Sequence, residues 1–169
     1  MNKTFVKKIV VLVFLVVAAV VFSSFSQPRK VEASSEILFP EDYRSWTHIK
    51  TAVNNPSFAT HSGFHHIYAN KKAMKGYKTG KFPDGSIIVF DVLESVEQKN
   101  GDVIEGKRKL LDVMVKDRVK FRETGGWGYE EFIYGSNAEI KKLNPAKTQC
   151  FTCHTAQKDD DYIFSKYRN

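Results

Sequence analysis

The stretch that most constrains the fold is the pair of β-prone runs on either side of Lys99–Asp102. Ser86–Gln98, SIIVFDVLESVEQ, is continuously β-branched and apolar at first and then alternates. Such a run packs well as a pleated strand. Lys107–Asp117, KRKLLDVMVKD, is apolar in its second half. Between them KNGD carries Asn100-Gly101, the dipeptide that most readily takes the left-handed turn of a hairpin. The centre of the chain is therefore expected to be an antiparallel hairpin. Phe64–Asn70 (FHHIYAN) and Tyr129–Gly135 (YEEFIYG) read as further strands, giving four, mostly hairpin-linked. Phe39–Val53 reads as a helix: Pro40 suits its first turn, Glu41 and Asp42 favour its start, and Tyr43, Trp46, Ile49 and Val53 recur at helical spacing. Lys71–Phe82 reads as a short helix and turn, Val119–Gly128 as a short helix and a glycine turn, and the tail from Pro145 as helix and loop. No βαβ alternation, internal repeat or low-complexity tract is present. The class is α+β, a mostly antiparallel sheet with short flanking helices.

The N-terminus has a different character. MNKTFVKK precedes an unbroken apolar run from Ile9 to Phe22, which has the layout of an export signal. Its length suits a signal core and is short of the ~20 residues of a membrane span. Extending it through Phe25 keeps an uncleaved anchor at residues 9–25 open. Val31-Glu32-Ala33 resembles a cleavage site, so residues 1–33 are expected to be a signal peptide or anchor and 34–169 the functional domain. That domain is expected outside the cytoplasm, periplasmic or otherwise extracytoplasmic, secreted or anchored. The formal charge of +7 is largely a property of the leader: beyond residue 33 the chain has 21 basic and 18 acidic side chains. Without a basic cluster elsewhere, nucleic acid is not an expected partner.

The chemistry lies in CFTCH, Cys150–His154. A thiol redox pair of this spacing usually opens a helix after the first strand of its domain, whereas here it ends the chain. A structural zinc site needs four ligands, and a second pair is missing. A disulfide closing so small a loop constrains little. The remaining reading is one covalent c-type haem: on a helix, Cys150, Cys153 and His154 share one face, so two thioethers and an iron-ligating imidazole meet one cofactor. Export and haem attachment support each other. Small electron-transfer cytochromes carry the motif near the N-terminus and a methionine ligand downstream, but neither Met nor His follows His154 here.

LFPEDYRSWTHIKT, GFHHIYAN, KTGKFPDGSIIVFDVLES, KRKLLDVMVKD, GGWGYEEF and CFTCHTAQKDDDYIFSKYR, in this order, resemble the cytochrome P-460 family and its cytochrome c′-beta branch. The resemblance covers nearly all of the exported part. It implies an antiparallel sheet packed on the haem, a histidine-ligated iron, usually a homodimer, and chemistry on small nitrogen species. Members of the first branch oxidise hydroxylamine and carry a lysine that cross-links to the haem; Phe90 stands at the matching position and cannot form that link. An apolar aromatic there caps the distal face in the nitric-oxide-binding branch, which makes Phe90 a candidate haem contact. Asp112 matches a position that is acidic in the enzyme branch, and His65 one that is often basic, so both are candidates for proton handling. His65 and His66, being adjacent on a strand, face opposite ways. The expected function is binding or turnover of small nitrogen oxides, nitric oxide favoured. A hydroxylamine-oxidising or peroxidase-like enzyme, or a six-coordinate electron carrier using Met114, Met74 or a histidine, are the alternatives.

Overall fold

The computed structural model describes residues 37–54, 61–134, 140–142 and 147–168. The expected leader, residues 1–33, lies outside them, as do residues 55–60, 135–139 and 143–146. Among the described residues no helix is long and apolar enough to cross a membrane.

Among the described residues, six antiparallel strands form one sheet in simple sequence order: β1 Thr47–Val53, β2 Phe64–Ala69, β3 Ile87–Glu97, β4 Val103–Lys116, β5 Trp127–Tyr134 and β6 Ile140–Lys142. This agrees with the expected α+β class. The β3–β4 hairpin is its longest element, and Gly101 (φ 90°) supplies the left-handed backbone of its turn. The helix α1, Lys71–Thr79, starts on Asn70, whose side chain accepts the Ala73 N–H, and ends on Gly80 at φ 73°. A second helix, α2, spans Lys147–His154 and runs into a 3₁₀ segment, Thr155–Asp160.

One expected element is corrected. Phe39–Val53 is not a helix: a 3₁₀ turn at Tyr43–Ser45 is followed by strand β1. The segment carries two periodicities. Thr47, Ile49, Thr51 and Val53 place β-branched residues at alternate positions, while Trp46, Ile49 and Val53 also fit a helix. The open edge of β2 decides between them, because its ladder groups need partners that only an extended neighbour provides. β1 and β6 thus extend the expected four strands to six.

The pairing register sorts side chains onto two faces. On the back, Val89, Leu111, Val113 and Phe132 pack with Ile37, Tyr43 and Phe121. Asp91 lies fully buried on this face. It accepts from the Tyr43 hydroxyl (2.7 Å) and from Arg108 (Nε, 2.7 Å; Nη2, 3.2 Å), and Arg44 Nη2 is 3.3 Å away. These donors satisfy a charge that burial alone would make costly.

On the front, Ala69, Ala73, Phe82, Ile88, Trp127, Tyr129 and Ile163 form a second core, against which Cys150, Phe151 and Tyr162 pack. The C-terminal tail is pinned here through Asp161. Lys116 Nζ reaches Asp161 Oδ1 at 2.7 Å, the Phe82 N–H donates to Oδ2 at 2.9 Å, and Trp127 Nε1–H donates to the Asp161 carbonyl at 2.8 Å. The Lys116 and Asp161 side chains are 4% and 11% exposed, so each would be a nearly buried lone charge without the other. Removal of one partner of such a pair costs about 3–5 kcal/mol. Asp161→Ala is accordingly expected to lower unfolding stability by about that amount, read from the denaturation midpoint in urea; a loss under about 1 kcal/mol would show the pair to be dispensable.

Candidate functional site

The front face opens into a cavity of about 650 Å³, within the range of small-molecule and cofactor sites. Three kinds of element build its wall. The sheet contributes two cross-strand rows: Lys50, Ile67, Phe90 and Asp112 are successive partners, and Ile88, Met114 and Tyr129 form the next row on the same face; Glu131 continues the first row as the partner of Asp112. Helix α2 contributes Cys150, Cys153 and His154, and the tail contributes Ile163, Phe164 and Ser165.

His154 is held on three sides. Its ring lies 5.1 Å from those of Tyr129 and Phe164. Its Nδ1 is 2.7 Å from the Tyr162 carbonyl. A carbonyl only accepts, so Nδ1 carries the proton and Nε2 keeps a free lone pair. This is the arrangement in which a histidine ligates a metal. Burial lowers the His154 pKa, only partly offset by the Tyr162 carbonyl, so the ring stays neutral and ligand-competent. The carbonyl points at His154 because the tail turns through two successive left-handed residues, Asp161 (φ 55°) and Tyr162 (φ 67°). Strain of this kind persists where the surroundings over-determine it, here through the Asp161 contacts.

Both cysteines are free thiols. Burial, followed by the nearby Asp112 and Glu131 charges, pushes the Cys150 thiol up to about 11. A redox-active thiol needs the opposite shift, so a thiol redox pair is disfavoured. Among the described residues the cysteines join no three-ligand metal cluster either.

Phe90, Asp112 and His65, each singled out from sequence, all line the same cavity as the CFTCH side chains. His65 is buried, its ring 4.9 Å from Phe90, and its Nε2 meets the His61 carbonyl. That contact makes Nε2 a donor and leaves Nδ1 as the basic atom. Burial lowers the His65 pKa. His66 faces the other side, next to Thr51 and Glu105. Met114 pairs with Tyr129, whose ring adjoins His154, and Met74 packs into the front core.

Sequence reasoning missed His61 and Glu131. His61 lies in a turn-rich loop, where no periodicity predicts its orientation. Glu131 is the cross-strand partner of Asp112, which register reveals and composition does not. The His61 ring lies 6.2 Å from Phe90, and its Nε2 is 3.7 Å from Asp112 Oδ2 and 3.8 Å from Glu131 Oε2. The site is therefore apolar around His154 and carries a polar trio beside Phe90.

Do these residues fit a haem? The Tyr129 hydroxyl is buried with no hydrogen-bond partner. Orphaned polar groups of this kind mark a missing neighbour. It lines a cavity of cofactor size that also exposes a bare imidazole Nε2 and two thiols. The donor set and the space both fit.

The Asp112 carboxyl is pushed well above the usual carboxylate range by burial and by the adjacent Glu131 carboxylate, which also shares a hydrogen bond with it. A raised folded-state pKa means that the folded state binds the proton more tightly than the unfolded state. This contribution to stability is complete below the unfolded value, about 3.9, and is lost as pH rises through the folded value. Asp112→Asn is thus expected to stabilise the protein near neutral pH and to lose that advantage in acid, read from thermal midpoints across pH. A pH-independent difference would contradict the assigned cause.

Comparison with curated proteins returns no match. The Cytochrome P460 family model matches residues 40–165, about three quarters of the chain, from the residue before the first turn to the tail beyond CFTCH. That span contains every strand, both helices and the whole cavity wall described above. On this match, and with the haem-compatible cavity that CFTCH closes, the chain belongs to the cytochrome P460 family, whose members bind haem.

Proposed function

We propose that the protein is an exported cytochrome holding one haem covalently through Cys150 and Cys153, with iron on His154 Nε2 and nitric oxide or a related small nitrogen oxide as its ligand. The observation that carries the reading is the Tyr162 carbonyl on His154 Nδ1, which leaves Nε2 bare in the cavity that both cysteines line. When bound, haem supplies reversible ligation of small diatomics and one-electron chemistry.

The chain's own residues divide the remaining work. Cys150 and Cys153 anchor the cofactor, and the Tyr162 carbonyl orients the imidazole and raises its basicity. Phe90 brings an apolar ring to the same cavity wall. It offers no ligand atom and no hydrogen bond, so it excludes water and gives bound dioxygen no support. A weakly polar diatomic is the ligand least penalised by such a wall. Residues 1–33 would direct the chain out of the cytoplasm, where c-type haem is attached, and either leave or anchor it. A homodimer follows from the family resemblance.

A second reading is supported by the polar trio. His61, Asp112 and Glu131 could accept protons from a substrate such as hydroxylamine, with His65 Nδ1 as a further base. Phe90 removes the lysine cross-link from that reading, as no nucleophilic nitrogen stands there. The electron-carrier reading is weakened by Met114, which lies on the row of Tyr129, the ring beside His154, rather than beside Phe90.

Expression with a haem-attachment system is expected to give a mass increased by one haem, absent from the Cys150→Ala/Cys153→Ala variant; an unmodified wild-type mass would refute the attachment. The ferric spectrum is expected to be five-coordinate and high-spin, and to change on adding nitric oxide. Phe90→His, which offers an imidazole in place of phenyl, should shift it to six-coordinate low-spin. A wild-type spectrum that is already low-spin in both oxidation states would point to the electron carrier.

A further inference from the structure

We propose that His61, Asp112 and Glu131 form a second metal site, which takes one divalent first-row cation in the same cavity as His154. The three side chains come from a loop and two adjacent strands, and their candidate ligand atoms all lie within 4.8 Å of one another. His61 Nε2 is nearly equidistant from Asp112 Oδ2 and Glu131 Oε2, at 3.7 and 3.8 Å. These separations are too long for hydrogen bonds, which end near ~3.2 Å. They are close to the spacing of two ligands on one ion: with ligand bonds of about 2.0–2.2 Å, tetrahedral neighbours stand about 3.3–3.6 Å apart. For the two histidine contacts, closing the gap needs movement of a few tenths of an ångström.

Two further features favour an ion over a polar rim. Asp112 and Glu131 face each other across β4 and β5, where two like charges destabilise the sheet unless something positive stands between them. The imidazole, placed nearly equally close to both carboxyls, completes a set of three ligand groups around such a charge. The loop is also held for the purpose: buried His65 donates its Nε2–H to the His61 carbonyl, fixing the backbone from which the third ligand extends.

One nitrogen and two carboxylate oxygens suit zinc, ferrous iron or manganese. Three protein ligands leave at least one coordination position open, the mark of a site that binds something else as well. With Phe90 alongside, an exogenous ligand in the cavity would meet the ion at one end. The site is built from residues outside CFTCH and stands independently of the haem reading.

The test is calorimetric titration of the chelator-treated, haem-loaded protein with zinc ions, with haem iron and zinc counted separately by elemental analysis. One zinc per chain is expected, and His61→Ala and Glu131→Gln should each weaken it by roughly 100-fold or more, as loss of a direct ligand requires. His48→Ala, which removes an exposed histidine outside the cavity, should leave the affinity unchanged. Absence of zinc binding by the wild-type protein would overturn the site, as would binding unaffected by both cavity variants or lost equally in His48→Ala. Protein that binds zinc but lacks haem would reject the haem reading and retain this one.

Discussion

The ion pair of Lys116 with Asp161 is the interaction on which the site depends. Lys116 ends β4, and Asp161 begins the tail that returns over the sheet. Asp161 also receives the Phe82 N–H and, through its carbonyl, the Trp127 indole. Three separate parts of the chain thus converge on one residue in a left-handed conformation. The next residue, Tyr162, turns its carbonyl onto His154. The protonation of the histidine that faces the cavity is therefore supported by a buried charge pair one residue before the Tyr162 carbonyl. Lys116 is further held over the Trp127 ring at 4.8 Å, which fixes the charge in place.

A single sheet serves two purposes because its faces are chemically unlike. The back face is closed by an aliphatic and aromatic core and by Asp91 with its tyrosine and arginine donors. With that face packed and rigid, the front can afford a cavity, which costs packing energy wherever it occurs. The front wall is graded: apolar rings surround His154, and the acids lie beyond Phe90. A ligand bound there would meet a dry imidazole at one side and a polar trio at the other, and this contrast separates ligand storage from proton-coupled chemistry.

Much of the architecture could be read from local signals. The β3–β4 hairpin follows from two β-prone runs around Asn100-Gly101, and α1 from its composition and Gly80, because these preferences act within a few residues. Thr47–Val53 carries two conflicting local signals. Over seven residues, the two- and 3.6-residue periods share Ile49 and Val53, and only the unpaired edge of β2 settles which applies. His61 and Glu131 could not be recognised as site residues at all. One lies on a loop, and the other became significant only through its partner across the ladder.

By itself, the sequence determined the chemistry available: two thiols and an imidazole within five residues, and strands enough for an antiparallel sheet. These depend on residue identity and on spacing within a few residues, which need no contact from elsewhere in the chain. Only the tertiary structure decided which groups meet. Register placed Phe90, Asp112 and Glu131 in one row, and the Asp161 turn assigned the His154 proton to Nδ1. Contacts between residues tens of positions apart are made by strand pairing and burial, and no local preference encodes them.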